Sequence, residues 1–311
     1  MPFSNNDIKA IQELYSLDQN DLVRQTIEIS KTAWDNVLDT PTIHSWIGNF
    51  KGEYLGNDRA EQNLALWILE NYVFYTDRDV RAMAKNMWWK YLHYHLLAFQ
   101  AAGFMEGSSI SEKIKYVIEN TIIQPLGNCS GSGTNVAYCF RQTNRLDPKR
   151  FNIVQAKNYR YLVLLDDATL SGHQAEENLK EYDAITEKDK FILTYISSKN
   201  AKSYLDGKAV LLSSIELNER SKCFHADSLV FCKHPNWIPV AKKMCEHYGN
   251  KLDPYNPLGY RKGQYTFGFY YNTPNNTLPI FWGTLNGWIP LFTRYFSNEL
   301  GMEDTDDEKF Y

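Results

Sequence analysis

Two adjacent carboxylates, Asp166 and Asp167, close the apolar run YLVLL, and Ala168, Thr169, Leu170, Ser171 and Gly172 follow before a polar stretch of helical character. The order suits one kind of chemistry. Where a parallel strand turns into a helix, several backbone N–H groups converge and the helix dipole adds positive potential, so a phosphate can be held without a lysine. Thr169 and Ser171 can donate hydroxyl hydrogens, and Gly172 lets the backbone come close. Two carboxylates beside a phosphate would repel it unless they have another task. The vicinal hydroxyls of a ribose supply that task, because a carboxylate accepts hydrogen bonds from both. Phosphate on residues 168–172 and sugar on Asp166 and Asp167 describes a ribose 5-phosphate. Any one of these elements alone would read as a solvated strand end and a helix cap; the ordered set is much rarer.

Other candidates stand around this passage. GNCSGSG, residues 127–133, follows another β-branched run, TIIQP. Its Ser130, Gly131, Ser132 and Gly133 offer N–H and hydroxyl donors to an anion, and Arg141 lies eight residues past Gly133. A glycine-serine stretch also serves as a plain connector. In NTPNNTLPIFW, Asn272, Asn275 and Asn276 suit an amide or base edge and Trp282 suits stacking on a ring; a tight hairpin turn uses the same residue types. Three Cys-x-His pairs, Cys223/His225, Cys232/His234 and Cys245/His247, raise the question of zinc. Their gaps are long and uneven, and no Cys-x-x-Cys knuckle is among them. His173 is expected to open a helix, and His93 and His95 to be packed and hydrogen-bonded.

The elements that must position these residues fall into a sequence of textures. Residues 1–120 read as a helical N-terminal region, with helix starts at Asp58/Glu61, Thr76/Asp79 and Ser109/Glu112, where a short side chain caps and the later acid reaches back. Residues 121–215 alternate strand and helix: strands at 121–127, 151–156, 160–165, 191–197 and 208–214, helices near 134–142, 173–182 and 199–205. That alternation implies an α/β fold with a parallel sheet flanked by helices. Residues 216–300 read as an α+β C-terminal extension, in which 265–283 is a strand, a polar turn and an apolar return. Residues 301–311 form an acidic tail. Aromatic residues at 14% leave no room for a disordered chain. Lys and Arg number 33 against 37 Asp and Glu, so no basic footprint for nucleic acid is spread over the surface. No run approaches the roughly 18–20 apolar residues of a membrane span. Five cysteines, an odd number, fit reduced thiols and a cytoplasmic protein.

The DDATLSG passage resembles the ribose-phosphate signature of type I phosphoribosyltransferases. Leu170 and Gln174 depart from the residues usual there. With GNCSGSGTNVAYCFRQTNRL and NTPNNTLPIFW, the chain further resembles a phosphoribosyltransferase-like family that carries a C-terminal extension. The resemblance implies a type I phosphoribosyltransferase-like sheet and 5-phosphoribosyl-1-pyrophosphate as ligand. It also implies transfer to a nitrogen nucleophile, with Mg²⁺ held by the ligand rather than by protein side chains. It assigns Asp166 and Asp167 as catalytic and residues 168–172 to the 5-phosphate. Ser130, Gly131, Ser132, Gly133 and Arg141 fall to the pyrophosphate, although the glycine-rich turn lacks the usual basic residue. Asn272, Asn275, Asn276 and Trp282 fall to the acceptor. Members of that family look like parts of bacterial antiphage, retron-type and RNA-repair cassettes, which implies a defence-system partner protein or ribonucleoprotein. The alternative is a sensor that binds the sugar phosphate and regulates a partner without turnover.

Overall fold

The computed structural model describes residues 3–127, 132–152, 159–183 and 189–294. The acidic tail at 301–311 lies outside the described residues. By its contacts the chain divides into two compact units, one made of 3–77 with 218–294 and the other of 78–217.

The first unit contains helices α1 (Asn5–Ser16), α2 (Gln19–Ala33), α3 (Thr40–Ile47) and α4 (Asp58–Glu70). A fifth helix, at Ile238–Leu252, joins them. Their apolar faces close on one core, in which Trp46, Phe50, Trp237, Tyr248 and Phe281 are buried. Buried indoles need an acceptor. Trp46 Nε1 donates to Ile280 O at 2.8 Å and Trp67 Nε1 to Val230 O at 3.0 Å. Trp237 Nε1 reaches Glu13 Oε2 at 2.8 Å.

The start of α4 differs from expectation. Asn57, not Asp58, caps it, with Oδ1 accepting from Ala60 N at 2.9 Å. Glu61, fully buried, turns outward from its own helix start and accepts from Gly52 N, Tyr54 N and Leu55 N, each at 2.8 Å. It pins the preceding loop instead of closing a capping box.

Strand β1 (Val73–Tyr75) pairs in parallel with a short strand at Phe267–Phe269. The strand expected within 265–283 is thus short, and its partner is β1. After Phe269 the chain turns through Asn272, and the apolar return is a 3-10 turn at Pro279–Phe281. Pro279 has no N–H to give a ladder, and its carbonyl takes Trp282 N instead.

The second unit is the α/β part. Helix α5 (Asp77–Ala102) leads into it, and α6 (Ile110–Glu119) starts at the expected Ser109/Glu112 capping box. Strand β2 (Thr121–Pro125) is followed by α7 (Ser132–Asn144), and β3 (Tyr161–Thr169) by α8 (His173–Asp183). Then come β4 (Asp189–Ser198), α9 (Lys199–Tyr204) and β5 (Val210–Leu217). The four strands lie in the order β2-β3-β4-β5, all parallel.

Both faces are covered, which is why these strands read as nearly unbroken apolar runs. On one face Ile122, Leu162, Leu164 and Ile192 pack with Ala175 and Leu179 of α8 and Ala201 and Leu205 of α9. On the other, Tyr91 and His95 of α5 meet Phe191. The Tyr91 hydroxyl bonds Thr121 Oγ1 at 2.7 Å. Burial pushes the His95 imidazole down to about 4, so it is neutral in the core. His93, expected to pack as well, is exposed.

Boundaries shift by two or three residues at β2, β4 and β5, and two expectations fail by more. In the strand expected at 151–156, Phe151 ends a 3-10 turn that Asp147 caps and Pro148 opens, and Asn152 is irregular. Residues 153–156 lie outside the described residues. Strand β3 runs four residues past its expected end, because Ala168 pairs with Ile196 and Thr169 with Ser197 of β4. Among the described residues no helix is long and apolar enough to cross a membrane.

Candidate functional site

At the carboxyl edge of the sheet, β3 carries Asp166, Asp167, Ala168 and Thr169 inside the strand, so the turn itself is only Leu170, Ser171 and Gly172. Asp166 and Asp167 are 8% and 6% exposed. Asp166 Oδ1 accepts from Asp167 N at 2.9 Å and its Oδ2 from Thr169 Oγ1 at 2.8 Å. Burial pushes the Asp166 carboxyl above the usual carboxylate range, while the Thr169 hydroxyl and the Asp167 N–H pull against it. The Thr169 hydroxyl, expected on the phosphate, is thus spent on its neighbouring acid. Gly172 has φ +81°, and a Cβ there would come within 2.9 Å of Tyr204 Cδ1. That position requires glycine on both counts.

The neighbouring strand ends beside it. Leu126 N donates to Leu165 O at 2.8 Å, carrying the β2–β3 pairing one residue past β2 and leaving Gly127 next to the acids of β3. Gly127 has φ +87°, and its N–H donates to Asn178 Oδ1 on α8 at 2.9 Å. Helix α7 then starts hard against the sheet. A Cβ on Gly133 would sit 2.3 Å from Leu126 O and 3.1 Å from Leu165 O. Of the expected anion donors, Ser132 and Gly133 open α7, and Ser130 and Gly131 lie outside the described residues. Arg141 is in the last turn of α7. At 1.5 Å per residue the helix carries it about 12 Å from Gly133, toward the opposite edge of the sheet. It is not brought to the turn.

A support that the sequence reading missed comes from the next crossover. Ser198 caps α9 and also donates through Oγ to Leu170 O at 2.6 Å. The ring of Tyr204 stacks on His173, the first residue of α8, at 4.2 Å between centroids. The Tyr204 hydroxyl bonds the carboxylate of Glu176, which Lys208 Nζ grips at 2.8 Å. Lys208, then Tyr204, hold that carboxyl down at about 2. The only sequence signal was Ser198 ahead of a short helix; the approach of Tyr204 to Gly172 is a tertiary fact.

The edge therefore offers paired, desolvated acids beside two strand ends that precede helices, each carrying a glycine at positive φ, Gly127 and Gly172. The family model for PRTase-CE matches residues 43–294. The chain belongs to the PRTase-CE family. No curated protein and no solved structure matches it. The family name points to phosphoribosyltransferase-like function, and the parallel sheet flanked by helices agrees with such a fold.

The match spans both units of this PRTase-CE chain, and the residues expected at an acceptor belong to the first. Trp282 is 3% exposed, in the core, with Nε1 on Thr277 O at 3.0 Å, so its faces are not open for stacking on a ligand. Asn276 is buried and its Nδ2 donates to Tyr260 O at 3.1 Å. Gly259 and Gly263 make room for it, since a Cβ on either would lie within 2.5 Å of Asn276 O. Asn275 O accepts from Tyr260 N at 2.8 Å, and Asn272 exchanges backbone bonds with Phe269. In the described structure these residues shape a turn.

Cys223 and Cys245 are buried, and burial pushes both thiols up. Among the described residues no group of three or more His, Cys, Asp or Glu could hold a metal ion.

Proposed function

We propose that the carboxyl edge of β2 and β3 binds 5-phosphoribosyl-1-pyrophosphate, or a related ribose 5-phosphate nucleotide, and that the protein displaces pyrophosphate from the anomeric carbon with a nitrogen nucleophile. The observation that carries this is the adjacency of Gly127 to the Asp166–Asp167 pair across one hydrogen bond, Leu126 N to Leu165 O. A ligand with a sugar phosphate at one end and a diphosphate at the other fits two anion-seeking turns flanking paired acids.

In this reading Asp166 and Asp167 take the ribose hydroxyls and buffer the positive charge that develops on the sugar as the bond breaks. For Asp166 this means exchanging the Thr169 hydroxyl for the ligand's. The backbone of residues 168–172 and the start of α8 hold the 5-phosphate, with the Thr169 and Ser171 side chains beside it. Ser130, Gly131, Ser132 and Gly133 meet the pyrophosphate. Mg²⁺ held by the ligand would suit the carboxylates at this edge and would supply charge neutralisation for the leaving pyrophosphate.

The second reading is a sensor that binds the same ligand without turnover. It is favoured by the position of Arg141, which leaves the described part of the glycine-rich turn without that cation. Pyrophosphate release separates the two. With PRPP, Mg²⁺ and a panel of bases and nucleotides, the enzyme reading expects release by wild type and none by Asp166→Asn/Asp167→Asn. Tight PRPP binding with no release on any acceptor would favour the sensor. A place in an antiphage or retron-type system, with a protein or ribonucleoprotein partner, belongs to the proposal through family resemblance. Co-purification of the tagged chain with a defined partner tests it.

A further inference from the structure

The first unit holds two cations on a turn whose backbone suits other residues. Gly263 N donates to Tyr260 O at 3.0 Å, and the residues between, Arg261 and Lys262, have φ +51° and +55°. Both central positions of a turn of this hand favour Gly, Asn or Asp, because a long side chain crowds the left-handed backbone. Such a conformation persists only where its surroundings impose it. Here the NTPNN passage does so. Asn276 Nδ2 donates to Tyr260 O at 3.1 Å, Tyr260 N donates to Asn275 O at 2.8 Å, and Tyr265 N to Asn276 O at 3.2 Å. An Asn-Gly pair would occupy the turn without strain, so Arg and Lys stand there at a cost to the fold.

Both cations line a cavity of about 180 Å³, together with Glu246, Tyr255, Pro257 and Leu258. Among the described residues Arg261, Lys262 and Glu246 are in no ion pair; Arg261 Nε lies 3.4 Å from the Tyr260 hydroxyl. Leu258 is buried, and Tyr255 is 95% exposed, with its ring offered to solvent. A bare anion would satisfy the cations but meet the Glu246 carboxylate. A ligand with a phosphate at one end and N–H donors at the other satisfies all three. Guanine supplies that second end. Its N1–H and N2–H lie side by side and match the two oxygens of one carboxylate, whereas adenine sets an acceptor beside its single amino group.

We propose that this cavity takes a guanine nucleotide, with the base against Glu246 and the Tyr255 ring and the phosphate on Arg261 and Lys262. A guanidinium and an ammonium side by side suit phosphate oxygens, and a tyrosine ring suits a base. The site shares no residue with the end of β3, and the inference holds whether or not that edge binds a ribose 5-phosphate.

The test is titration calorimetry on the full chain, with 5′-GMP, 5′-AMP and guanosine as probes. GMP is expected to bind saturably, and AMP and guanosine about tenfold more weakly, for want of the paired donors and of the phosphate. Arg261→Asn/Lys262→Gly gives the turn the residues it prefers, so that variant should melt above wild type. It should nevertheless bind GMP about tenfold or more weakly. Tyr255→Ala should weaken GMP about fivefold or more at unchanged melting temperature. Asp166→Asn/Asp167→Asn should leave GMP affinity within about twofold. No GMP binding by wild type, or full affinity in Arg261→Asn/Lys262→Gly, overturns the proposal. A turn variant that melts lower or fails to fold makes the two cations structural and overturns it too. Equal affinity for GMP and AMP removes Glu246 from the site and overturns the guanine assignment. GMP binding that is lost with the β3 acids but kept in the turn variant belongs to the end of β3, which overturns this inference and favours that reading.

Discussion

Gly133→Ala tests how tightly the start of α7 must seat against the sheet. The added Cβ would lie 2.3 Å from Leu126 O, where ordinary contact begins near 3.4 Å, so the overlap is about 1 Å. Leu126 N at 3.0 Å and Leu165 O at 3.1 Å close the other directions. All three neighbours are backbone, and Leu126 N is bonded to Leu165 O at 2.8 Å, so relief requires opening that bond or lifting α7. Overpacking costs about 1–3 kcal/mol, and the strained hydrogen bond about 1 more. Alanine's better helix propensity returns up to about 1 kcal/mol. The net is about 1–3 kcal/mol, or roughly 2–12 °C in melting temperature. Pyrophosphate affinity should fall with it, because the start of α7 is displaced. Gly207→Ala is the control: it has φ +75° with nothing within 4 Å of the added carbon, so it pays only the left-handed backbone cost of about 1–2 kcal/mol. A Gly133→Ala protein that melts with wild type and binds pyrophosphate normally would refute the close-approach argument.

Two further outcomes follow from other parts of the chain. Glu70, the last residue of α4, has Oε1 buried without a partner, and burial pushes its carboxyl up to about 7. The folded state therefore holds a proton that the unfolded chain releases above about 4.5. Its contribution is fully present at low pH and is lost as pH rises from about 4.5 through about 7. Glu70→Gln should raise the melting temperature at pH 8 more than at pH 5; an equal shift at both would contradict the burial. Asn276→Ala should lower stability by about 1–2 kcal/mol through the Tyr260 carbonyl it leaves unpaired, while ribose 5-phosphate affinity stays the same. Preserved stability with a tenfold weaker acceptor KM would instead restore a ligand role to that turn.

The acids of β3 and the alternation of strand and helix were legible because they rest on local patterns. YLVLL is apolar on both faces, and a sheet covered on both sides demands that. Where β3 ends was not legible, because Ala168 and Thr169 are held in the strand by β4, a partner distant in sequence. In NTPNNTLPIFW the bonds of Asn276 to Tyr260 and of Trp282 to Thr277 were not legible, because tertiary packing makes them. Arg141 was attractive by its sequence distance from Gly133, but a helix converts eight residues into a long displacement.

The central claim is that the end of β3 clasps a ribose 5-phosphate, and titration calorimetry of ribose 5-phosphate into the full chain tests it most directly. Saturable one-site binding that Asp166→Asn and Asp167→Asn each weaken by about tenfold or more, at unchanged melting temperature, is the predicted result. No binding to wild type, or equal binding to all three proteins, would contradict it.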